Sequence, residues 1–423
     1  MGLIAVIVPL FTAAPEGLSL QGWRLIGITL LMAFWWIFST IHISATALIP
    51  LIAFPLLHIT DAKSASEPYA SPVVFLLLGG FIIASALQKW QLHRRIALTV
   101  ATKCGKKIDR VILGFMITVA CLSMWISNTA STLLMLTIAS SLIETLSKKH
   151  HLPPDNNPIG TAMMLGIAYS ASIGGIGTIV GTAPNAFLVE FLTNQPYNIE
   201  ISFISWMSIA LPCVLTLIPI TWFILTHVIF RECVNPKFLI LPQSQESMQD
   251  DLNKMGLIST PEKRVSMVFL AVALGWMTRP LLNKIHILAP INDASIGIIG
   301  AIALFLIPSG DTTCSNDNRL LSWEDTNELP WGVLILLGGG LSLASAVSST
   351  DLASWLGMKL SMLENLQINE LILLFSASIS LLTEMTSNTA TTATFVPIIT
   401  AFAQRSGVDP LLLAMPVTLT ASC

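Results

Sequence analysis

The sequence predicts an all-α polytopic membrane protein, built as an inverted-topology repeat with two re-entrant hairpins and two unwound transmembrane helices. Of its 423 residues, 53% are hydrophobic and only 11% are charged, whereas soluble domains carry about 25% charged residues. Long segments without Asp, Glu, Lys or Arg can each cross a hydrocarbon core of about 30 Å as a helix. They are apolar throughout, which excludes the alternating strands of a β-barrel. The uncharged segments are residues 25–60, 111–143, 156–189 and 201–230.

Basic residues are concentrated between residues 88 and 110, which contain seven of the 21 Lys and Arg residues. The positive-inside rule places this segment in the cytoplasm. Its middle, residues 93–103, mixes apolar and basic residues in the way typical of a helix in the membrane interface. The segment 310–329 has five acidic residues and one basic residue, and we expect it on the outside. The polar stretch 231–264 links the two halves of the chain.

The chain contains an internal repeat. The sequence Leu-Leu-Gly-Gly occurs at residues 77–80 and again at 336–339. The first copy leads into the basic segment and the second follows the acidic one, which we interpret as an inverted-topology repeat. The stretches 72–91 and 331–350 are either plain spans or re-entrant hairpins that reverse at Gly-Gly. A proline at the start of each favours the hairpins.

A polar tripeptide, Ser-Asn-Thr, lies near the centre of two apolar segments, at residues 127–129 and 387–389. Such side chains compete for backbone hydrogen bonds, so they are poor in helix interiors and good as caps. Each tripeptide predicts a helix that unwinds and restarts, offering N–H groups to an anion and carbonyl groups to a cation such as Na⁺. Hydrogen bonding between neighbouring helices explains one such tripeptide equally well. Two related copies favour a binding chamber.

A glycine-rich segment, residues 174–185, ends in Gly-Thr-Ala-Pro-Asn. Its glycine spacing does not fit a nucleotide-binding fingerprint, and it follows a membrane helix instead of a strand. Gly177 and Gly181 form a GxxxG pattern, which is typical of close helix packing. The Gly-Thr-Ala-Pro-Asn end is better explained by a broken helix whose backbone carbonyls face the same chamber.

These motifs carry a family resemblance. Met-Trp-Ile-Ser-Asn-Thr-Ala (124–130) and Leu-Thr-Glu-Met-Thr-Ser-Asn-Thr-Ala-Thr (382–391) are close to two signatures of the divalent anion/sodium symporter family. With the glycine-rich loop and residues 68–98, the chain resembles that family over essentially its whole length. The resemblance implies sodium-coupled symport of dicarboxylates such as succinate, malate or fumarate, and some members carry citrate or sulfate. It also implies an elevator movement and a homodimer. We expect the protein in the plasma membrane, which in a bacterium is the inner membrane.

The resemblance assigns site residues by position. The first sodium site would use Ser123, Ser127, Asn128 and Gly181. The second sodium site would use Thr383, Ser387 and Asn388. Sodium would act as the coupling ion, without any other cofactor. The partners would be a small dianionic carboxylate, Na⁺, the lipid bilayer and a second copy of the chain. Substrate contacts would come from Ser127, Asn128, Thr129, Ser387, Asn388, Thr389 and Thr182.

The resemblance also divides the chain and exposes two departures. Ala183 stands where the family usually has a proline, which should leave the backbone carbonyls in place. The chain ends at Cys423, before a counterpart of Gly181 and Thr182, so we expect a truncated second repeat. The expected parts are scaffold helices (1–70), the first transport repeat (71–200), a linker loop with scaffold helices (201–310) and the incomplete second transport repeat (311–423).

Other functions fit less well. A dicarboxylate or citrate exchanger, or a sodium/sulfate symporter, would use the same neutral hydrogen-bond donors. An intramembrane hydrolase would need an activated nucleophile, but the sequence has no Gly-x-Ser-x-Gly or His-Glu-x-x-His motif. It also has no histidine in the apolar segments around Ser127 and Ser387 that could pair with either serine. We therefore expect no enzyme. A nucleic-acid partner is also not expected, because no basic stripe lies outside the juxtamembrane loops.

Overall fold

A computed structural model describes residues 2–104, 107–150, 157–194, 196–234, 249–310, 319–360 and 366–422. Within these ranges the regular elements are helices, and Pro308 and Arg319 form an isolated bridge. The α-helices are α1 (Gly2–Phe11), α2 (Leu20–Phe38), α3 (Ile43–Thr46), α4 (Ile49–Leu56), α5 (Ala62–Ser66), α6 (Pro72–Lys89), α7 (Leu92–Lys103), α8 (Ile108–Ser123), α9 (Asn128–His150), α10 (Pro158–Gly175), α11 (Ala183–Thr193), α12 (Phe203–Phe223), α13 (Thr260–Leu282), α14 (Asp293–Leu306), α15 (Trp331–Ser349), α16 (Leu352–Lys359), α17 (Ile368–Thr383), α18 (Asn388–Arg405) and α19 (Pro410–Ser422).

Five helical segments among the described residues are long and apolar enough to cross a membrane. A hydrocarbon core of about 30 Å requires about 20 apolar residues in helical form, and these segments have 19 to 28 residues. The prediction of an all-α polytopic membrane protein is therefore confirmed. The five segments are Leu20–Phe38, Ala62–Lys89, Phe203–Ile229, Thr260–Leu282 and Trp331–Ser349.

The chain forms two compact units. Unit 1 consists of Met1–Leu78, Ala183–Ile201 and Pro330–Cys423, and unit 2 consists of Gly79–Thr182 and Ser202–Leu329. The core of unit 1 includes Leu25, Trp36 and Phe54, all almost fully buried. The predicted division into scaffold and transport parts stays a prediction, because compactness does not report which parts move.

The stretches 72–91 and 331–350 do not reverse at their Gly-Gly pairs. Helices α6 and α15 run unbroken through them, so the prediction of re-entrant hairpins at these positions is wrong. The glycines allow close helix contacts instead. A Cβ atom on Gly79 would lie 2.7 Å from the carbonyl carbon of Gly297 in unit 2, and one on Gly339 would lie 2.3 Å from the carbonyl oxygen of Ala47 in unit 1.

The chain reverses at the first Ser-Asn-Thr tripeptide. Helix α8 runs parallel to α10, because Met116 contacts Gly166 and Ala120 contacts Gly174. Helix α9 runs antiparallel to α10, because Asn128, at the start of α9, contacts Gly175, and Asn157, just before α10, bonds Ser147 near the end of α9. Helices α8 and α9 are therefore antiparallel, and we call the pair hairpin 1. The predicted helix break is present, but the second helix turns back.

The second tripeptide lies at an equivalent reversal. Helices α18 and α19 pack together across the short connection 406–409, so they are antiparallel. Helix α17 also packs on α19, and its last residue, Thr383, contacts Ala421 near the end of α19. Helix α17 is thus parallel to α19 and antiparallel to α18. We call α17 and α18 hairpin 2, with Ser387 and Asn388 at its tip.

The acidic segment lies on the same side of the membrane as the basic one. In unit 2, the Lys89 ammonium group lies 2.7 Å from the Asp325 carboxylate, and the Trp90 indole donates a hydrogen bond to the Leu320 carbonyl at 2.9 Å. The placement of 310–329 on the outside, opposite to 88–110, is therefore wrong for its described part, 319–329. Helix α6 ends on this side, and α15, which begins directly after residue 330, starts from this side. An inverted repeat requires this arrangement. The inversion itself stays a prediction.

Candidate functional site

Three oxygen atoms converge at the tip of hairpin 1 in unit 2. Ser123, the last residue of α8, is fully buried. Its hydroxyl oxygen lies 2.6 Å from the amide oxygen of Asn128 and 2.7 Å from the backbone carbonyl of Ala171. We call these three groups the first oxygen cluster. It brings together two predicted site residues, Ser123 and Asn128, and adds Ala171, which sequence reasoning did not assign.

The first oxygen cluster holds more acceptors than protons. The Ser123 hydroxyl has one proton, whereas both of its neighbours are carbonyl oxygens that only accept hydrogen bonds. That single proton is shared between two carbonyl acceptors, so the two short contacts cannot both be full hydrogen bonds at the same time. Converging neutral oxygens are the ligands that hard cations prefer. The cluster thus has the chemistry of a small-cation site.

The same arrangement recurs in unit 1 at the tip of hairpin 2. The hydroxyl of Thr383, the last residue of α17, lies 2.8 Å from the amide oxygen of Asn388 and 3.0 Å from the carbonyl of Ala421. We call this the second oxygen cluster. Thr383 and Asn388 stand at the repeat positions of Ser123 and Asn128, and Ala421 follows α18 as Ala171 follows α9. The repeated sequence therefore builds repeated geometry.

A tight loop, residues 176–182, lies beside the first oxygen cluster. It follows α10, which ends at Gly175. A Cβ atom on Gly175 would lie 2.5 Å from the Asn128 amide oxygen and 2.6 Å from the Thr182 methyl carbon, and one on Gly181 would lie 2.2 Å from the Gly175 carbonyl oxygen. Only glycines allow these approaches. The loop therefore places the predicted residues Gly181 and Thr182 against Gly175, which itself lies close to Asn128.

The tripeptides also begin helices. Ser127 precedes α9, and its hydroxyl accepts a hydrogen bond from the Ala130 amide at 3.3 Å. Ser387 precedes α18 and makes no side-chain capping bond. The first backbone amide groups of a helix have no hydrogen-bond partners within the helix and lie at the positive end of its dipole. An anionic group can therefore bind at either tip. Thr129 is exposed in the first turn of α9, whereas Thr389 is buried in α18.

Aromatic side chains support the tip of hairpin 1. Trp125 stacks on Trp276 with ring centroids 6.3 Å apart, lies 6.0 Å from Phe203, and meets Phe269 edge-on at 5.1 Å. The Trp206 indole, one turn after Phe203, donates to the Ile176 carbonyl of the glycine loop at 2.9 Å. Helix α12 thus contacts both the tip of hairpin 1 and the glycine loop. Sequence reasoning missed this support because the contacts join distant segments.

The oxygen clusters differ from the other polar features of the described residues. Within those ranges, no three His, Cys, Asp or Glu side chains are grouped in a way that could hold a metal ion. Unit 1 also contains a cavity of about 830 Å³ near the start of α6, lined by Glu67 and Glu190 and by several serines. Its lining includes no basic side chain and none of the predicted site residues. Two carboxylates disfavour a dianion there.

The apolar helices and the two neutral oxygen clusters at helix breaks define a membrane transport protein of the secondary carrier class. The model of the sodium:sulfate symporter transmembrane region matches residues 1–423. The chain therefore belongs to this family, whose members are transporters and not enzymes, and it is a multi-pass protein of the plasma membrane.

Two bacterial relatives are similar over the whole chain. The sodium-dependent dicarboxylate transporter SdcS of Staphylococcus aureus (strain USA300) is 36% identical over 430 residues, covering 100% of this chain and 81% of the relative. The protein of the same name from Staphylococcus saprophyticus is 36% identical over 428 residues, with the same coverage. The family resemblance of the sequence motifs is thereby confirmed.

Proposed function

We propose that this protein couples the inward movement of sodium to the uptake of dicarboxylates of the succinate, malate and fumarate type. The observation that carries the proposal is the pair of matching oxygen clusters, each with one hydroxyl proton for two carbonyl acceptors. The names of the Staphylococcus relatives, which describe sodium-dependent dicarboxylate transporters, support it.

We assign one sodium ion to each oxygen cluster. In the first cluster, the ion would be coordinated by the oxygens of Ser123, Asn128 and Ala171. Ser127 and the Gly181 carbonyl would complete the coordination shell. The bound ion would remove the crowding of the acceptor oxygens. Neutral ligands bind a monovalent ion weakly enough to release it, as transport requires.

In the second cluster, the sodium ion would take the oxygens of Thr383, Asn388 and Ala421, with Ser387 nearby. The Thr383 hydroxyl has the same partners as Ser123, at distances that are 0.2 to 0.3 Å longer. The repeated geometry supports equal roles for the two clusters.

We assign recognition of the substrate carboxylates to the tripeptide tips and to Thr182. Hydroxyl and amide groups and the first amides of α9 and α18 would donate hydrogen bonds to the carboxylate oxygens. Sodium ions at the adjacent clusters would supply the positive charge that the tips lack, so substrate would bind well only after sodium. The tip residues are Ser127, Asn128, Thr129, Ser387, Asn388 and Thr389. The elevator movement and the homodimer stay predictions from the resemblance.

The proposal is tested by uptake of radiolabelled succinate into proteoliposomes that contain the protein. We expect accumulation with an inward sodium gradient, and only background uptake when potassium replaces sodium. Citrate and sulfate, added in excess as competitors, report the substrate class. Uptake that ignores sodium but requires internal dicarboxylate would identify an exchanger and overturn the symport proposal. Sodium-driven uptake of sulfate without succinate would overturn the dicarboxylate assignment.

A further inference from the structure

One buried hydroxyl group joins the glycine loop to the tip of hairpin 1. Thr178 is fully buried in unit 2. Its hydroxyl donates to the backbone carbonyl of Met124 at 2.5 Å and accepts a hydrogen bond from the Gly181 amide at 3.1 Å. A hydroxyl can donate one hydrogen bond and accept another at the same time. The side chain therefore bridges two backbone segments that are far apart in the sequence.

Both ends of this bridge adjoin candidate sodium ligands. Met124 follows Ser123 directly, and Gly181 carries a carbonyl that the resemblance assigns to the same ion. Another tie of the loop, from Trp206 to the Ile176 carbonyl, reaches α12 and not the hairpin. Among these ties, the bridge through Thr178 is the one that fixes the loop relative to the oxygens of the hairpin.

We propose that Thr178 is a positioning residue that sets the sodium affinity of the first oxygen cluster without touching the ion. This inference rests on the proposed sodium-coupled function. The hydroxyl holds the Gly181 carbonyl at a fixed distance from Ser123 and Asn128, and so sets the size of the cation shell. Sodium and lithium differ in radius, so a loosened bridge changes the preference between them as well as the affinity.

The test compares variants that keep or remove the hydroxyl group. Thr178→Val keeps the shape of the side chain and removes the bridge, whereas Thr178→Ser keeps the bridge. Thr118→Val is the matched control, because Thr118 is a buried threonine of α8 whose hydroxyl donates to the Gly114 carbonyl of its own helix, at 2.7 Å. The initial rate of succinate uptake is measured against sodium and against lithium concentration, and against succinate at saturating sodium.

We expect Thr178→Val to raise the sodium concentration for half-maximal uptake about tenfold. The Met124 carbonyl and the Gly181 amide would each lose a hydrogen-bond partner, and leaving buried polar groups unpaired costs free energy. The ratio of the sodium to the lithium requirement should change, while the KM for succinate at saturating sodium stays within about twofold. Thr178→Ser and Thr118→Val should each stay within about twofold of the wild type.

An unchanged sodium requirement in Thr178→Val would overturn the inference. An equal shift in Thr118→Val would also overturn it, because the effect would then reflect general loosening of the helices. If Thr178→Val does not fold, Thr178→Ala replaces it, and sodium-dependent thermal stabilisation of the detergent-solubilised protein replaces uptake. The wild-type curve separates the two proposals, since a wild type without sodium dependence contradicts the proposed function itself.

Discussion

The hydroxyl oxygen of Ser123 lies 2.6 Å from the amide oxygen of Asn128, and the equivalent atoms of Thr383 and Asn388 are 2.8 Å apart. Each pair lies at the tip of a helical hairpin. Each hydroxyl also contacts an alanine carbonyl on the helix that follows the hairpin in the chain. The two halves of the chain therefore repeat an arrangement of oxygen atoms as well as a sequence motif.

Replacing either amide at the tips should abolish transport. Asn128→Ala or Asn388→Ala removes one ligand of a proposed sodium ion and one proposed contact of the substrate. We expect succinate uptake at background level for both variants, measured in proteoliposomes at equal protein density. Asn253→Ala, an exposed residue of unit 2 outside the site, serves as the control and should keep normal uptake. Near-normal uptake by both tip variants would refute the assignment of these residues.

The glycine loop should not tolerate a side chain at Gly181. The added Cβ atom of Gly181→Ala would lie 2.2 Å from the Gly175 carbonyl oxygen, which forces the loop away from Asn128. We expect at least a tenfold loss of sodium-dependent uptake with normal insertion in the membrane. Gly80→Ala is the matched control, because its nearest neighbour, Val180, is 3.6 Å away. Equal activity of the two variants would show that the loop conformation is not required.

Lys89 and Asp325 should be accessible from the same side of the membrane. In a cysteine-free background, Lys89→Cys and Asp325→Cys should react with a membrane-impermeant maleimide in inverted vesicles and not in intact cells. Ser64→Cys, before α6, should show the opposite pattern, because α6 separates it from Lys89. Labelling of positions 89 and 325 from opposite faces would contradict the ion pair that the structure places between them.

The ion pair also predicts a pH-dependent contribution to stability. Burial acts to raise the pKa of Asp325, but the hydrogen bond from Lys89 and those at Ser322 outweigh it, so the pKa lies below its ordinary value. A carboxylate with a lowered pKa stabilises the folded state above its unfolded-state pKa, and this contribution is lost as the pH falls through the folded-state pKa.

Asp325→Asn should therefore melt at a lower temperature than the wild type at neutral pH, and the difference should shrink as the pH falls below the ordinary pKa of an aspartate, about 3.9. The measurement is thermal unfolding in detergent across that range, with Asp251→Asn, a more exposed member of a surface pair, as the control. We expect a modest effect of about 1 kcal/mol or less, because the pair is partly exposed. A difference that grows on acidification would contradict this account.

The sequence predicted the helix breaks but not the direction of the chain at them. Ser127 and Ser387 are recognisable because their side chains compete with helical hydrogen bonds. Whether a broken helix continues or turns back depends on its neighbours, here α10 and α19. Gly79 and Gly339 were misinterpreted as reversal points because a Gly-Gly pair suits a turn and a close helix contact equally well.

Two further features could not be predicted for the same kind of reason. The side of the membrane on which 319–329 lies was misplaced, because acidic residues carry little topological information compared with Lys and Arg. The roles of Thr178 and Trp125 depend on contacts between distant segments, and neither residue stands out by its spacing. The structure places Ser123 and Thr383 beside Asn128 and Asn388, each at the same position before its tripeptide, while their assignment as sodium ligands stays a prediction.

Equilibrium binding of radiolabelled sodium to the purified protein reports directly whether each oxygen cluster binds one sodium ion. Ser123→Ala and Thr383→Ala should each lose one bound sodium ion per chain relative to the wild type, and the double variant should lose two. Sodium occupancy that is unchanged in both single variants would contradict the assignment of one ion to each cluster.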